Sequence, residues 1–244
     1  RRPPRSTLFP YTTLFRSVYS SFGSRSRAGT IKRMNISYIL FVVVVVFVSM
    51  TLHELMHGLI AYKLGDDTAR SMGRLTLNPF KHIDPVMTIA MPLIIVVMNM
   101  VTGSALPVFG GAKPVPFNPN KVKYGEWGVA AVAASGPIVN LVLAFISYVI
   151  VANIGSTGIA GQLLSVSVIV NLGFFAFNII PIPPLDGSRV FYVIAPDFVR
   201  RFFEMMEQYG VVLVYILVMA LSPLLTMYMR AVINGCVHLF SLVA

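Results

Sequence analysis

The sequence predicts an all-α polytopic membrane protein with about five or six membrane segments, and three observations carry that prediction. Charged residues make up 11% of the 244-residue chain, where a soluble domain carries roughly 25%. Mean hydropathy is +0.78. Long uncharged runs recur, the first being Tyr38–Val48 with five consecutive valines.

Residues 1–33 stand apart. They carry eight Lys/Arg and no acid, and "RRPPRSTLFPYTTLFRS" (1–17) resembles translated adapter read-through rather than protein. The expectation is a non-native tail with the native start at Met34, excluded from fold reasoning. The competing reading is a basic presequence, rich in Arg and Ser and without acids. The net charge of +10 is therefore misleading, because residues 34–244 hold eleven Lys/Arg against nine acids. A body at +2 excludes a nucleic-acid partner argued from charge. No linker or internal repeat divides it, so 34–244 reads as a single membrane-embedded domain. The lone cysteine, Cys236, rules out an intramolecular disulfide and a cysteine-based metal site.

A spanning helix needs about 20 mainly apolar residues. Ile36–Tyr62, Gly128–Ala152 and Ile159–Ile180 meet that length. Tyr209–Leu221 begins a further segment, interrupted at Ser222–Pro223 and resumed as Leu224–Val243, where Arg230 breaks the apolar run. Pro85–Val101 is apolar but short and has Pro92 at its middle, which favours a re-entrant segment over a span.

Loop charge orients the segments. Residues 63–84, 111–127 and 187–208 hold ten of the eleven basic residues of the body, and the "NIGSTG" loop at 153–158 holds none. Positive loops are cytoplasmic as a rule. The three basic loops are therefore expected inside, the 153–158 loop outside, and the first helix runs from outside to inside.

That first helix contains the feature that points to chemistry. "HELMH" places His53, Glu54 and His57 inside a membrane segment, where ionisable groups are costly and mark function. Four helical residues turn through about 400°, so His53 and His57 share a face one turn apart. Two imidazoles so placed can hold one metal ion, and Glu54 can reach a water beside it as general base, which is the H-E-x-x-H zinc hydrolase pattern. Zinc lowers the pKa of bound water to about 7.

A catalytic zinc typically takes three protein ligands. Candidates for the third are His82 and Asp84 in "KHIDP", His238 near Cys236, and Asp186 in "NIIPIPPLDGSR". Asp186 is favoured, since it follows a spanning helix on the side where the HELMH helix ends. Three prolines stiffen its approach, and Gly187 permits an irregular turn. A turn-capping Asp is the competing reading.

"HELMH", "ASGPIVN" (134–140) and "FNIIPIPPLDGSR" (177–189) together resemble the site-2 protease family of intramembrane zinc metalloproteases. The match covers roughly residues 34–210, and the short chain without a PDZ insertion looks like the minimal prokaryotic group. The resemblance implies zinc ligation by His53, His57 and Asp186, a catalytic Glu54, and a catalytic-support role for Asn178, eight residues before Asp186. Asn140 and Gly136 match a helix motif concerned with packing or active-site support. "FGGAKPVPFNP" (109–119) resembles a segment that in this family forms a small β-hairpin near the active site, whose open edge could pair with a substrate strand. Lys113 and Asn118 would then be structural or binding residues. Residues 78–103 exceed the family core, leaving His82 and Asp84 as a loop-stabilising pair.

The function this implies is intramembrane zinc endopeptidase activity. A membrane-protein or peptide substrate would be cut in a prokaryotic cell membrane by zinc-activated water with Glu54 as base, the site opening toward the cytosol. A membrane metal-ion or proton transporter is the alternative from another class. It accounts for the ionisable residues but not for the HExxH register or "PLDG". An inactive scaffold is disfavoured, since Glu54 and all three ligand positions are present.

Overall fold

The computed structural model of the chain describes residues 36–90, 111–210 and 220–243, together with 93, 94, 97, 212 and 216. The first helix, α1 (Ile36–Lys63), carries HELMH near its end. Its valines are poor helix formers in water, but in lipid every backbone group must be satisfied internally, and a helix does this. Lys63 sits in its last turn, where a cation complements the helix dipole. A short helix α2 (Thr68–Ser71), a 3₁₀ turn at Pro79–His82 and a π-turn at Pro85–Ala90 follow. After the irregular stretch 111–118 and a 3₁₀ turn at Pro119–Lys121 come α3 (Gly125–Ile154) and α4 (Gly158–Asn178). The chain ends with α5 (Asp186–Tyr192), α6 (Asp197–Glu207) and α7 (Ser222–Val243).

Three of these helices are long and apolar enough to cross a membrane: Leu40–Lys63 within α1, then α3 and α4. They correspond to the first three predicted segments. The expected segment at 209–221 and the later part of 85–101 lie largely outside the described residues. Ser222–Pro223 is not merely a break. Pro223 lies in the first turn of α7, a position that needs no backbone N–H, and the helix passes through the exposed Arg230 without interruption. Among the described residues there is no strand. Residues 111–118 have no regular secondary structure, and 109–110 of the expected hairpin lie outside the described residues.

The helices assemble around α3. It turns back into α4 through residues 155–158, where Gly155 and Gly158 take positive φ (84° and 76°) that other residues adopt poorly. The α1 helix packs against both. One face of α7, spaced at Ile233, Val237 and Phe240, meets Ala144, Tyr148, Val168, Leu172 and Ala176. Ala144 and Ala176 are fully buried, and such small residues let helices approach closely without a hydrophobic driving force.

This antiparallel order gathers the three basic loops at one end and leaves 155–158 at the other. Lys123 N–H donates to the Leu64 carbonyl at 2.8 Å. The Arg200 guanidinium pairs with Glu126 at 3.0 Å, and Arg189 lies over the Phe117 ring, 5.7 Å from its centroid.

Candidate metal centre

The two histidines of HELMH project from α1 toward α3, and Asp186 reaches them from the first turn of α5. His53 Nε2 and His57 Nε2 are 3.0 Å apart. Asp186 Oδ2 lies 3.1 Å from the first and 3.4 Å from the second. These residues form the candidate metal-ligating group found among the described residues. His238 is exposed on α7. His82 is fully buried with its Nε2 donating to the Thr76 carbonyl at 2.9 Å, and Asp84 receives the Val86 N–H. The last two brace their own loop, as the sequence reading has them.

Hydrogen bonding determines which ring atoms are left for a ligand. His57 Nδ1 faces the Val132 carbonyl at 2.8 Å. A carbonyl only accepts, so Nδ1 carries the proton and Nε2 the lone pair. His53 Nδ1 faces Asn140 Oδ1 at 2.6 Å, and the direction of that bond is fixed from further away. Asn171 Nδ2 donates to the Ser167 carbonyl at 2.9 Å, so its Oδ1 is what accepts from Asn140 Nδ2, also at 2.9 Å. Asn140 must then present its oxygen to His53. Both imidazoles thus turn a lone pair inward, opposite a carboxylate oxygen that is buried and meets no well-aligned donor. Three acceptor atoms at this separation require a positive species between them.

A metal ion fits that requirement. Ligand atoms about 2.0–2.1 Å from a tetrahedral zinc are about 3.3–3.4 Å from one another, close to the 3.0, 3.1 and 3.4 Å found. Two nitrogens and one oxygen form a ligand set that zinc accepts, with a fourth position left open. Nδ1 bonds of this kind are the partners that orient metal-ligating histidines.

Two glycines make the approach possible. A Cβ on Gly136 of α3 would stand 2.5 Å from His57 Nε2 and 2.6 Å from His53 Nε2. A Cβ on Gly187 would stand 2.3 Å from the Ile179 carbonyl oxygen. Gly187 is therefore needed for close packing inside α5, not for the irregular turn expected from "PLDG". Its absent side chain lets Asp186 sit beneath the end of α4.

Glu54 follows His53 on α1, and its Oε2 accepts the Val115 N–H at 2.8 Å. Asn178 spends one Nδ2 hydrogen on the Phe174 carbonyl of its own helix at 3.0 Å. The sequence reading placed Asn140 and Gly136 only in general support, and it missed Asn171. A carboxamide in an otherwise apolar span was the available signal for Asn171.

Relatives of this chain in three bacterial species carry the name "Putative zinc metalloprotease". YwhC of Bacillus subtilis is 37% identical over 193 residues, covering 75% of this chain and 81% of that protein. Rip2 of Mycolicibacterium smegmatis is 28% identical over 190 residues, covering 75% of this chain and 69% of that protein. The Rip2 of Mycobacterium tuberculosis is 27% identical over 191 residues, covering 73% and 65%. No family model and no solved structure matches the chain.

Proposed function

Because this chain belongs to the site-2 protease family of zinc metalloproteases, we propose that it cuts peptide bonds of membrane-spanning substrates, with His53, His57 and Asp186 holding zinc and Glu54 as general base. The chain is a zinc metalloprotease and a membrane protein. The intramembrane substrate and the residue roles are the proposal. One observation carries it: both histidine lone pairs and one carboxylate oxygen converge at metal-ligand spacing near the end of a spanning helix, with Glu54 next to His53 in sequence.

When bound, zinc supplies Lewis acidity, polarising the substrate carbonyl and acidifying water. The chain's own residues do the rest. Glu54 takes a proton from the attacking water and passes it to the leaving amine, so it ends as it began. Asn140 and the Val132 carbonyl hold the two rings in the ligating tautomer. The second Nδ2 hydrogen of Asn178 is the one a substrate carbonyl would use. A substrate helix must unwind locally first, because helical amides are occupied by their own hydrogen bonds.

Water has a route. A cavity of about 410 Å³ opens at the basic end, lined in part by Pro119, Glu126, Pro183, Ser188 and Arg189, the last two in the same short helix as Asp186. We place that end in the cytosol on loop charge. We also place further membrane segments in the chain beyond the three helices described, for about five or six in all.

The test is zinc content and cleavage of a synthetic membrane-spanning peptide in proteoliposomes. Glu54→Gln should keep its zinc and lose about 10²–10⁴-fold in rate. Asp186→Ala should lose zinc. Wild-type cleavage by Glu54→Gln rules out the base assignment. Full zinc occupancy in Asp186→Ala rules out the third ligand. Metal transport by both proteins with cleavage by neither would make this chain a transporter.

A further inference from the structure

Three buried polar residues between α1 and α3 take no part in the centre: Asp66, Arg74 and His82. The side chains of Asp66 and Arg74 and the backbone of His82 meet one stretch, residues 111–118. Asn118 N–H donates to Asp66 Oδ2 at 2.6 Å. Arg74 Nη2 donates to the carbonyls of Lys113 and Pro114 at 2.9 and 3.3 Å. Lys113 N–H donates to the His82 carbonyl at 2.8 Å. Between these anchors, the buried Val115 gives its N–H to Glu54 Oε2 at 2.8 Å.

The sequence of the stretch restricts what it can do. A residue before proline is held to extended backbone, as Lys113 and Val115 are here, and in an extended chain successive residues turn their N–H and C=O groups to opposite edges. Val115 is flanked by Pro114 and Pro116, and proline has no N–H. The edge opposite Val115 therefore offers only carbonyls across this tract. A substrate strand adding to a sheet edge needs donors as well as acceptors along it, and this tract does not supply them. What it does supply is a stiff backbone, φ fixed on both sides of one residue, with one N–H aimed at one carboxylate oxygen.

We propose that residues 111–118 are a strut that positions the Glu54 carboxylate through the Val115 N–H, with Arg74 and Asp66 as its anchors. The proposal rests on Glu54 being the general base. With Oε2 held, Oε1 is the oxygen that takes the water proton and returns it to the leaving nitrogen, and the Val115 proton stays on Val115 throughout. Arg74 and Asp66 are positioning residues, since neither touches the reacting atoms.

The test compares variants in the full-length, zinc-loaded protein, with zinc content and thermal unfolding measured beside kinetics. Val115→Pro deletes the N–H at a position already flanked by proline on both sides. It should lower kcat about 10- to 100-fold, the cost of a misplaced catalytic group, with KM within about threefold and zinc content unchanged. Val115→Ala, which keeps the N–H and loses two methyls, should lose much less. Replacing Val115 with its α-hydroxy analogue, an ester in place of the amide, removes the N–H and keeps the side chain; it also weakens the Pro114 carbonyl that Arg74 holds, so it is read against Arg74→Gln and decides the matter if Val115→Pro does not fold. Arg74→Gln should lower kcat in the same way, and the Arg74→Gln/Val115→Pro double variant should be no slower than Val115→Pro, because both act through one contact.

An N–H-deleted variant with wild-type kcat overturns the strut, as does one with raised KM alone, which would make 111–118 a substrate contact. A faster variant also overturns it, since the contact would then be a brake. Fully multiplicative effects in the double variant remove Arg74 from the device. Glu54→Gln measured alongside separates the two levels: if it cleaves normally, the base assignment itself has failed, and if it is inactive, a wild-type Val115→Pro defeats the strut alone.

Discussion

Asn140 Oδ1 accepts the His53 Nδ1 proton at 2.6 Å, and so a carboxamide on α3 sets which nitrogen of an α1 imidazole is free. The two residues are 87 apart in sequence and both are buried. Without Asn140 the ring can flip or change tautomer, and its lone pair no longer faces Asp186. Asn140→Ala should therefore weaken zinc binding about 10- to 100-fold, as loss of an outer partner does elsewhere. Chelator competition measures this. Asn140→Asp should retain binding, because a carboxylate oxygen accepts the same proton. Asn171→Ala should weaken binding less than Asn140→Ala, since it acts only by letting the Asn140 amide turn.

Gly136 is the tightest point of the site. Any side chain there would occupy the space that both Nε2 atoms face. Gly136→Ala should abolish zinc binding while leaving α3 helical, because alanine is the better helix former. Zinc stoichiometry with circular dichroism checks both halves. A variant that binds zinc normally would mean that α1 and α3 stand further apart than described.

The candidate ligands were legible in the sequence because each obeys a local rule. HExxH is a helix register, and an ionisable group in a valine-rich segment needs a reason. Asp186 was legible from the prolines before it and the charge of the loops, which put it at the same end as HELMH, where the structure has it beside His53 and His57. Asn171 was not legible, because its meaning depends on the rotation of α4 against α3. Nor were Asp66 and Arg74, where charge in a loop was read only for topology. Arg74 is buried, and its guanidinium holds two carbonyls about forty residues away. The 109–119 segment was placed beside the active site, but the direction of its N–H groups is a matter of tertiary packing.

Gly187→Ala tests how the carboxylate is delivered. The added methyl would meet the Ile179 backbone at 2.3–2.4 Å, and backbone cannot move aside as a flexible side chain can. The α5 helix must shift, and Asp186 with it. Zinc affinity should fall, while Asp66 and the 111–118 stretch remain protected from hydrogen exchange. Equal loss of protection everywhere would mean that Gly187 supports the whole bundle rather than the ligand.

Asp66 ties the end of α1 to both neighbouring loops, and its effect should depend on pH. Oδ1 accepts from the Thr68 backbone N–H at 3.0 Å and from the Thr68 hydroxyl, and Oδ2 accepts from Asn118. Burial alone would raise this carboxyl, but these bonds outweigh it and hold the group below the usual carboxylate range. A group whose folded pKa is lowered contributes stability that is complete above its unfolded value and is lost as pH falls through the folded one. In Asp66→Asn one oxygen becomes an amide donor, which must face either the Thr68 donors or the Asn118 N–H. The variant should be less stable than wild type by about 2 kcal/mol at pH 7. The gap should begin to close below about pH 4 and keep closing as wild-type Asp66 is protonated. Thermal unfolding of both proteins across that range measures it. Exchange at the Asn118 amide should rise in the variant at pH 7. A gap independent of pH would place the effect in packing rather than in the carboxylate.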